Sequence, residues 1–172
     1  LHAGQAVKIY KTPDHPDCIN DPSAGRIATE RVKYMANKIA SIMHMDLDPS
    51  VVKPLNLVMK DGKFAGYTME YVPDFDVLYF LSQRSYRDQN PYQPSSVIQV
   101  FRHIWKIVES IHDQDAVIGD FNDLNVLFRR GDVRLVDLDS MQFDKYLCRM
   151  FTARFIDPRL VEERGSSIEF VS

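Results

Sequence analysis

Two rhythms organise the apolar positions of this chain, one of period two and one of about 3.6 residues, and the places where one gives way to the other mark its elements. Gln5-Ala6-Val7-Lys8-Ile9-Tyr10 is a short β-prone run ended by the breaker stretch Thr12-Pro13-Asp14-His15-Pro16, which predicts a strand carrying Lys8. Asp21 to Ala24 reads as a turn. Ile27, Val32, Met35, Ile39, Ile42 and Met43 then recur as on one face of a helix, with Glu30 near its start. Pro54 to Met59 and Phe64 to Tyr71 are again β-prone. Lys60-Asp61-Gly62-Lys63 joins them, and Asp-Gly predicts a tight hairpin because its backbone readily takes positive φ.

After Pro73 the texture changes. A short helix is expected through Leu78 and Leu81, followed by a polar stretch, Ser82 to Pro94, that reads as a loop and a hinge. Val97, Val100, Phe101, Ile104, Ile107, Val108 and Ile111 then predict a second long helix, capped by Ser95 or Ser96 and packing Trp105. Asn125 to Phe128 and Val133 to Val136 flank Arg129-Arg130-Gly131-Asp132, a second expected hairpin. There is no internal repeat and no low-complexity tract.

The 172 residues suffice for one average domain or two small lobes. At 45% hydrophobic and 26% charged, the chain has the composition of an ordered globular protein rather than a disordered one. A formal net charge of -3 gives no general attraction to nucleic acid or anionic lipid, so neither is an expected partner. Cys18 and Cys148 stand far apart without ligand spacing, which predicts two free thiols in a reducing compartment rather than a disulfide or zinc site. No apolar run reaches the roughly 18 residues of a membrane span, and no signal peptide is evident, so the cytoplasm is the expected location. The first residue is Leu1 rather than a methionine, and truncation at both ends is expected.

The chemistry concentrates in Gly119-Asp120-Phe121-Asn122-Asp123-Leu124-Asn125 and, after the second hairpin, in Val136-Asp137-Leu138-Asp139. An acid, an amide five residues later and a second acid beyond a hairpin are placed to converge. That trio suits phosphoryl transfer. Magnesium prefers hard oxygen donors such as an Asp carboxylate and an Asn carbonyl, and a further carboxylate must orient or deprotonate the attacking hydroxyl.

On these residues the sequence resembles the protein-kinase-like superfamily. Asp120 through Asn125 is similar to the catalytic loop H-R-D-x-x-x-x-N, Asp137-Leu138-Asp139 falls where D-F-G is expected, and Ala6-Val7-Lys8-Ile9 is similar to V-A-I-K. The resemblance implies Asp120 as catalytic base, Asn125 and Asp137 as magnesium ligands, Lys8 on the ATP phosphates and Glu30 as the helix acid that pairs with Lys8. It also implies Met69 as gatekeeper, with the backbone of Glu70, Tyr71 and Val72 facing adenine. The implied architecture is a two-lobed α+β fold, incomplete, with a small β-rich N-lobe over residues 1–73 and a mainly helical partial C-lobe over 74–172. Pro54-Leu55, Gly62 to Met69, Gly-Asp-Phe-Asn and Val136 to Ser140 further resemble a bacterial kinase-like domain often joined to helix-hairpin-helix segments.

Each residue also has a plain reading. Alone, Lys8 is a surface lysine, Glu30 a favourable acid in a first helical turn, and Asp120 and Asn125 turn formers. Asp137, at the end of an apolar strand, needs a partner. All five together, in order and near spacing, favour a phosphotransferase with ATP and Mg2+ as cofactors and a protein serine or threonine hydroxyl as acceptor.

Several departures keep other readings in play. No G-x-G-x-x-G precedes Lys8, Ile118-Gly119 replaces His-Arg, Asn122 replaces a lysine or histidine, Asp139 replaces the glycine of D-F-G, and Asp157-Pro158-Arg159 replaces Ala-Pro-Glu. Asp139 is expected to tolerate the special backbone angles of that glycine or to add charge near the metal, and Asn122 to be able to bond a phosphate. One alternative is a small-molecule kinase of aminoglycoside or choline type, acting on an alcohol; another is a catalytically inactive pseudokinase that serves as a binding module. An incomplete C-lobe is expected to expose apolar surface for a partner or a missing segment. Ser140 and Thr152 are candidates for being phosphorylated themselves.

Overall fold

The computed structural model describes residues 4–19, 22–148 and 152–155. It is an α+β chain of small antiparallel sheets and several helices, in two compact units: Leu1–Met45 with Lys53–Tyr71, and Asp46–Val52 with Val72–Ser172. Asp157, Pro158 and Arg159 lie outside the described residues.

In the first unit, strand β1 (Gln5–Ile9) leads through a short helix α1 (Pro16–Ile19) to the long helix α2 (Pro22–His44), then to strands β2 (Pro54–Lys60) and β3 (Lys63–Glu70). The strands form one antiparallel sheet in the order β1-β3-β2, with Lys8 opposite Tyr67. The two-residue turn predicted at Asp61-Gly62 is present, with both residues at positive φ (50° and 72°), as the twist of a tight hairpin requires. Tyr10 leaves β1 to pack against Phe64 and Tyr67, at ring-centroid distances of 5.7 and 6.3 Å. Helix α2 buries Ala28, Met35, Ile39 and Ile42, which recur at helical spacing, and packs on β2 and β3. Val32 and Met43 are only partly covered, and the side chain of Ile27 lies outside the described residues. Of the turn expected at Asp21 to Ala24, Asp21 lies outside the described residues and Pro22 to Ala24 are helical: helix α2 is under way from Pro22, because proline lacks an N–H that the first helical turn would leave unbonded, and its fixed φ suits that position.

The second unit holds strand β4 (Asp76–Val77), helices α3 (Tyr79–Ser82), α4 (Arg84–Gln89) and α5 (Pro94–His112), and strands β5 (Ala116–Val117), β6 (Val126–Arg129), β7 (Asp132–Leu135) and β8 (Gln142–Phe143). The β6–β7 hairpin is the one predicted, with Arg130 and Gly131 at positive φ. Residues 46–52 belong to this unit because they pair with β7: the Leu135 N–H donates to the Ser50 carbonyl and the Val52 N–H to the Leu135 carbonyl. The core is built from Val100, Ile107 and Ile111 of α5 against Val126, Phe128, Val133 and Leu135 of the hairpin.

Three expectations are corrected here. Ser82 to Pro94 is not a loop, since α4 forms within it, anchored by Tyr86. The Tyr86 hydroxyl donates to Asp76 (2.6 Å) and meets the Tyr92 hydroxyl (3.2 Å), while its ring stacks on Phe80. Helix α5 starts at Pro94 rather than at Ser95 or Ser96, with Gln93 at the cap position and no side-chain cap bond; proline at the first turn replaces the expected serine cap. Trp105 does not pack. It is 69% exposed and shares a side of α5 with Ile98 and Phe101, because the buried stripe through Val100, Ile107 and Ile111 is narrower than the apolar pattern. Among the described residues no helix is long and apolar enough to cross a membrane.

Candidate functional site

The loop 118–125 is assembled by short-range turn chemistry in the second unit. Pairing of β5 with β8 brings the residues before the loop alongside those after Asp137. Gly119 is buried in that seam, where an added Cβ would meet the Ser140 carbonyl oxygen and the Cys148 sulfur. A side chain at this position would need its neighbours to shift. One residue on, the Asp120 N–H donates to the Ser140 hydroxyl at 2.9 Å, fixing the backbone that presents the Asp120 carboxylate.

Asn122 holds the rest of the loop. Its Oδ1 accepts from the N–H groups of Leu124 (2.9 Å) and Asn125 (3.1 Å), and the side chain is buried. This is the local side-chain capping for which asparagine is suited. The sequence leaves open a phosphate contact for Asn122, whereas in the structure its oxygen is engaged within the loop. Asn125 donates from Nδ2 to the Asp120 carbonyl at 2.9 Å, an orientation that turns its Oδ1 away from that bond. Its own carbonyl accepts from the Val136 N–H at 2.9 Å. Val136 immediately precedes Asp137. Asp120, Asn125 and Asp137 thus lie on directly hydrogen-bonded segments.

Asp137 occupies the left-handed region, at φ 64° and ψ 58°, and leads a 3-10 turn over Leu138–Ser140. The sequence assigns the special backbone to Asp139; instead it falls on Asp137, and Asp139 is buried in the turn. Aspartate tolerates this region because its short side chain can bond locally. As donor types, the Asn125 side-chain Oδ1 and the Asp137 carboxylate are both hard oxygens, the kind a magnesium ion takes. Among the described residues no group of three or more His, Cys, Asp or Glu is placed to hold a metal, so a cation here would rest on one carboxylate and one amide.

A contact that sequence reasoning missed joins this loop to residues 152–155. The Thr152 hydroxyl donates to Asp120 Oδ1 at 2.7 Å, and Arg154 pairs with Asp123 at 3.6 Å. Asn122 Nδ2 approaches the Thr152 hydroxyl at 3.5 Å. A carboxylate at hydrogen-bond distance from an exposed hydroxyl has the geometry of a general base and its acceptor. No periodicity could reveal it, because the partners are 32 residues apart.

The remaining predicted residues belong mostly to the first unit. Lys8 is half-buried on β1, with its ammonium 5.8 Å from the Tyr10 ring centroid. Glu30 is exposed on α2. Met69 and Glu70 end β3, where they face Ala6 and Gln5 of β1, and the Tyr71 N–H continues that pairing by donating to the Gly4 carbonyl. Val72 opens the long segment of the second unit. One feature of α2 has no counterpart in the apolar pattern: Lys38 is 1% exposed, its ammonium 5.9 Å from the Tyr34 ring. Compared with protein-family models and with curated proteins, the sequence finds no match.

Proposed function

We propose that the chain is an ATP-dependent phosphotransferase of protein-kinase-like type, acting on serine or threonine hydroxyls. The observation that supports this reading is the hydrogen bonding of loop 120–125 with the strand end at Val136, because it joins the segments that carry the acid, the amide and the second acid the reaction needs. Asp120 orients the acceptor hydroxyl and takes its proton. Asn125 and Asp137 would hold magnesium, which when bound supplies charge neutralisation at the phosphates. Lys8 positions phosphates and Glu30 steadies Lys8, as the sequence resemblance implies. A first unit with one three-stranded sheet and one long helix, and a second unit with most of the helices, support the two-lobed architecture. The threonine hydroxyl on Asp120 favours a polypeptide acceptor over a small alcohol.

The test is calorimetric titration with ATP, with and without magnesium, on the protein and on Lys8→Ala and Asp137→Ala, followed by a transfer assay. Magnesium-dependent binding is expected in the parent and lost in both variants, with unchanged circular dichroism. A fully active Asp137→Ala protein would remove the assignment.

A further inference from the structure

We propose that the exposed side of α5 is the surface through which two copies of this chain associate, the two helices running antiparallel about a two-fold axis beside His103. The inference is independent of the phosphotransferase reading. Ile98, Phe101 and Trp105 are 52%, 55% and 69% exposed. They recur at i, i+3 and i+7, so they form one apolar stripe, turned away from the buried Val100, Ile107 and Ile111 of the same helix. Apolar residues scattered singly over a surface need no partner. A contiguous stripe that includes a tryptophan and a phenylalanine, by contrast, has the composition of an interface centre.

The stripe is complementary to itself. In the antiparallel pair, Phe101 of each copy lies level with Trp105 of the other, and Ile98 with Val108, which is only half-buried. The flanking charges set the direction. Arg102 and Glu109 are both exposed and stand two helical turns apart on one edge of the stripe. Each Glu109 then lies about five residues along the axis from the other copy's Arg102, roughly 7.5 Å, a span that two long side chains close. The two Arg102 side chains lie near the axis, each with a Glu109 on its outer side. A parallel pair would set Arg102 level with Arg102, Glu109 level with Glu109, and the two helix dipoles side by side in the same sense. One pair of helices of this length belongs to the small interfaces, below about 1,200 Å² in total, so the association is weak and reversible. In dilute solution the chain is a monomer with Trp105 in water.

Sedimentation velocity on the full chain, from about 1 μM to about 1 mM, is expected to pass from monomer to dimer. The emission of Trp105, the single tryptophan, shifts to the blue over the same range. Trp105→Ala raises the dissociation constant about tenfold or more, with unchanged circular dichroism. Glu109→Arg weakens association several-fold, and combining it with Arg102→Glu restores it. Cys18 and Cys148 are buried, so an added surface thiol reports by itself. Ile98→Cys mixed with Val108→Cys is expected to give a disulfide-linked pair under mild oxidation. Ile98→Cys alone, whose two copies stand about 15 Å apart along the axis, is not. A monomer at every concentration, or a dimer that Trp105→Ala leaves intact, overturns the inference. Shielded tryptophan emission in the dilute monomer also overturns it, because the stripe is then covered by the chain's own residues. Cross-linking of Ile98→Cys alone, or a charge exchange that fails to restore association, overturns the antiparallel pairing.

Discussion

Replacing Gly119 by alanine isolates the packing that presents Asp120. An added Cβ at this position meets the Ser140 carbonyl oxygen and the Cys148 sulfur, and Cys148 is fully buried. Gly119 is not among the residues at positive φ, so its backbone conformation is open to alanine. Two effects therefore compete. Alanine narrows the unfolded ensemble, which stabilises by about 0.4–1 kcal/mol when the native backbone tolerates it. Overpacking costs about 1–3 kcal/mol, and a backbone carbonyl held by a 3-10 turn has little freedom to withdraw. With two contacts this short the steric cost lies near the top of its range, about 3 kcal/mol, leaving a net loss of about 2 kcal/mol. In a chain of this size each kcal/mol moves Tm by about 2–4 °C, so a fall of roughly 4–8 °C is expected.

Urea denaturation followed by circular dichroism should show a lower midpoint with an unchanged slope. The second overlap provides an internal control. Cys148→Ala removes the sulfur but not the Ser140 carbonyl, so the double variant should recover only part of the loss, with a coupling on the order of 1 kcal/mol. A Gly119→Ala protein within about 0.5 kcal/mol of the parent, or one restored completely by Cys148→Ala, would refute the argument that the backbone of the 138–140 turn limits this position.

Gly62→Ala tests turn geometry without packing: a Cβ there meets nothing, but φ is +72°, so a loss of about 1 kcal/mol is expected by thermal melting, and less for Gly62→Asn. Partial burial, with the hydrogen bonds to Asp76 and Tyr92 adding, holds the Tyr86 hydroxyl pKa above its ordinary value. The folded chain then keeps this proton where the unfolded chain loses it. The resulting stabilisation is complete below about pH 10 and shrinks as pH rises beyond it, and Tyr86→Phe should flatten that decline in urea melts taken between about pH 9 and 11. Trp105→Gln should change stability by less than about 0.5 kcal/mol. As the chain's single tryptophan, Trp105 should emit close to indole in water and be readily quenched by acrylamide; shielded emission would contradict its exposure.

What could be read from the sequence and what could not differ by the range of the forces involved. Both hairpins were legible because their turns depend on two adjacent residues that accept positive φ, Asp61-Gly62 and Arg130-Gly131. The return of the chain from loop 120–125 to the segment before Asp137 was legible for a related reason: a hairpin of fixed length brings it back, and the bond from the Val136 N–H to the Asn125 backbone carbonyl follows from that return. Helix α4 was hidden because its polar residues carry no apolar stripe, and its anchor, Tyr86, acts through Asp76, ten residues upstream. Trp105 misled because an apolar pattern reports capacity for burial, while the opposing hairpin decides how wide a stripe of α5 it covers. The same distinction governs the site. Gly119 stands out in the sequence only against the pattern of a resemblance, whereas in the structure it sits against a carbonyl 21 residues away that leaves no room for a side chain without a shift. Residue type thus identifies the groups capable of chemistry, and long-range packing determines which atom each one faces. Asp120 shows both: its carboxylate could be named from the loop alone, but its partner, the Thr152 hydroxyl, is brought to it only by the path of the chain between them.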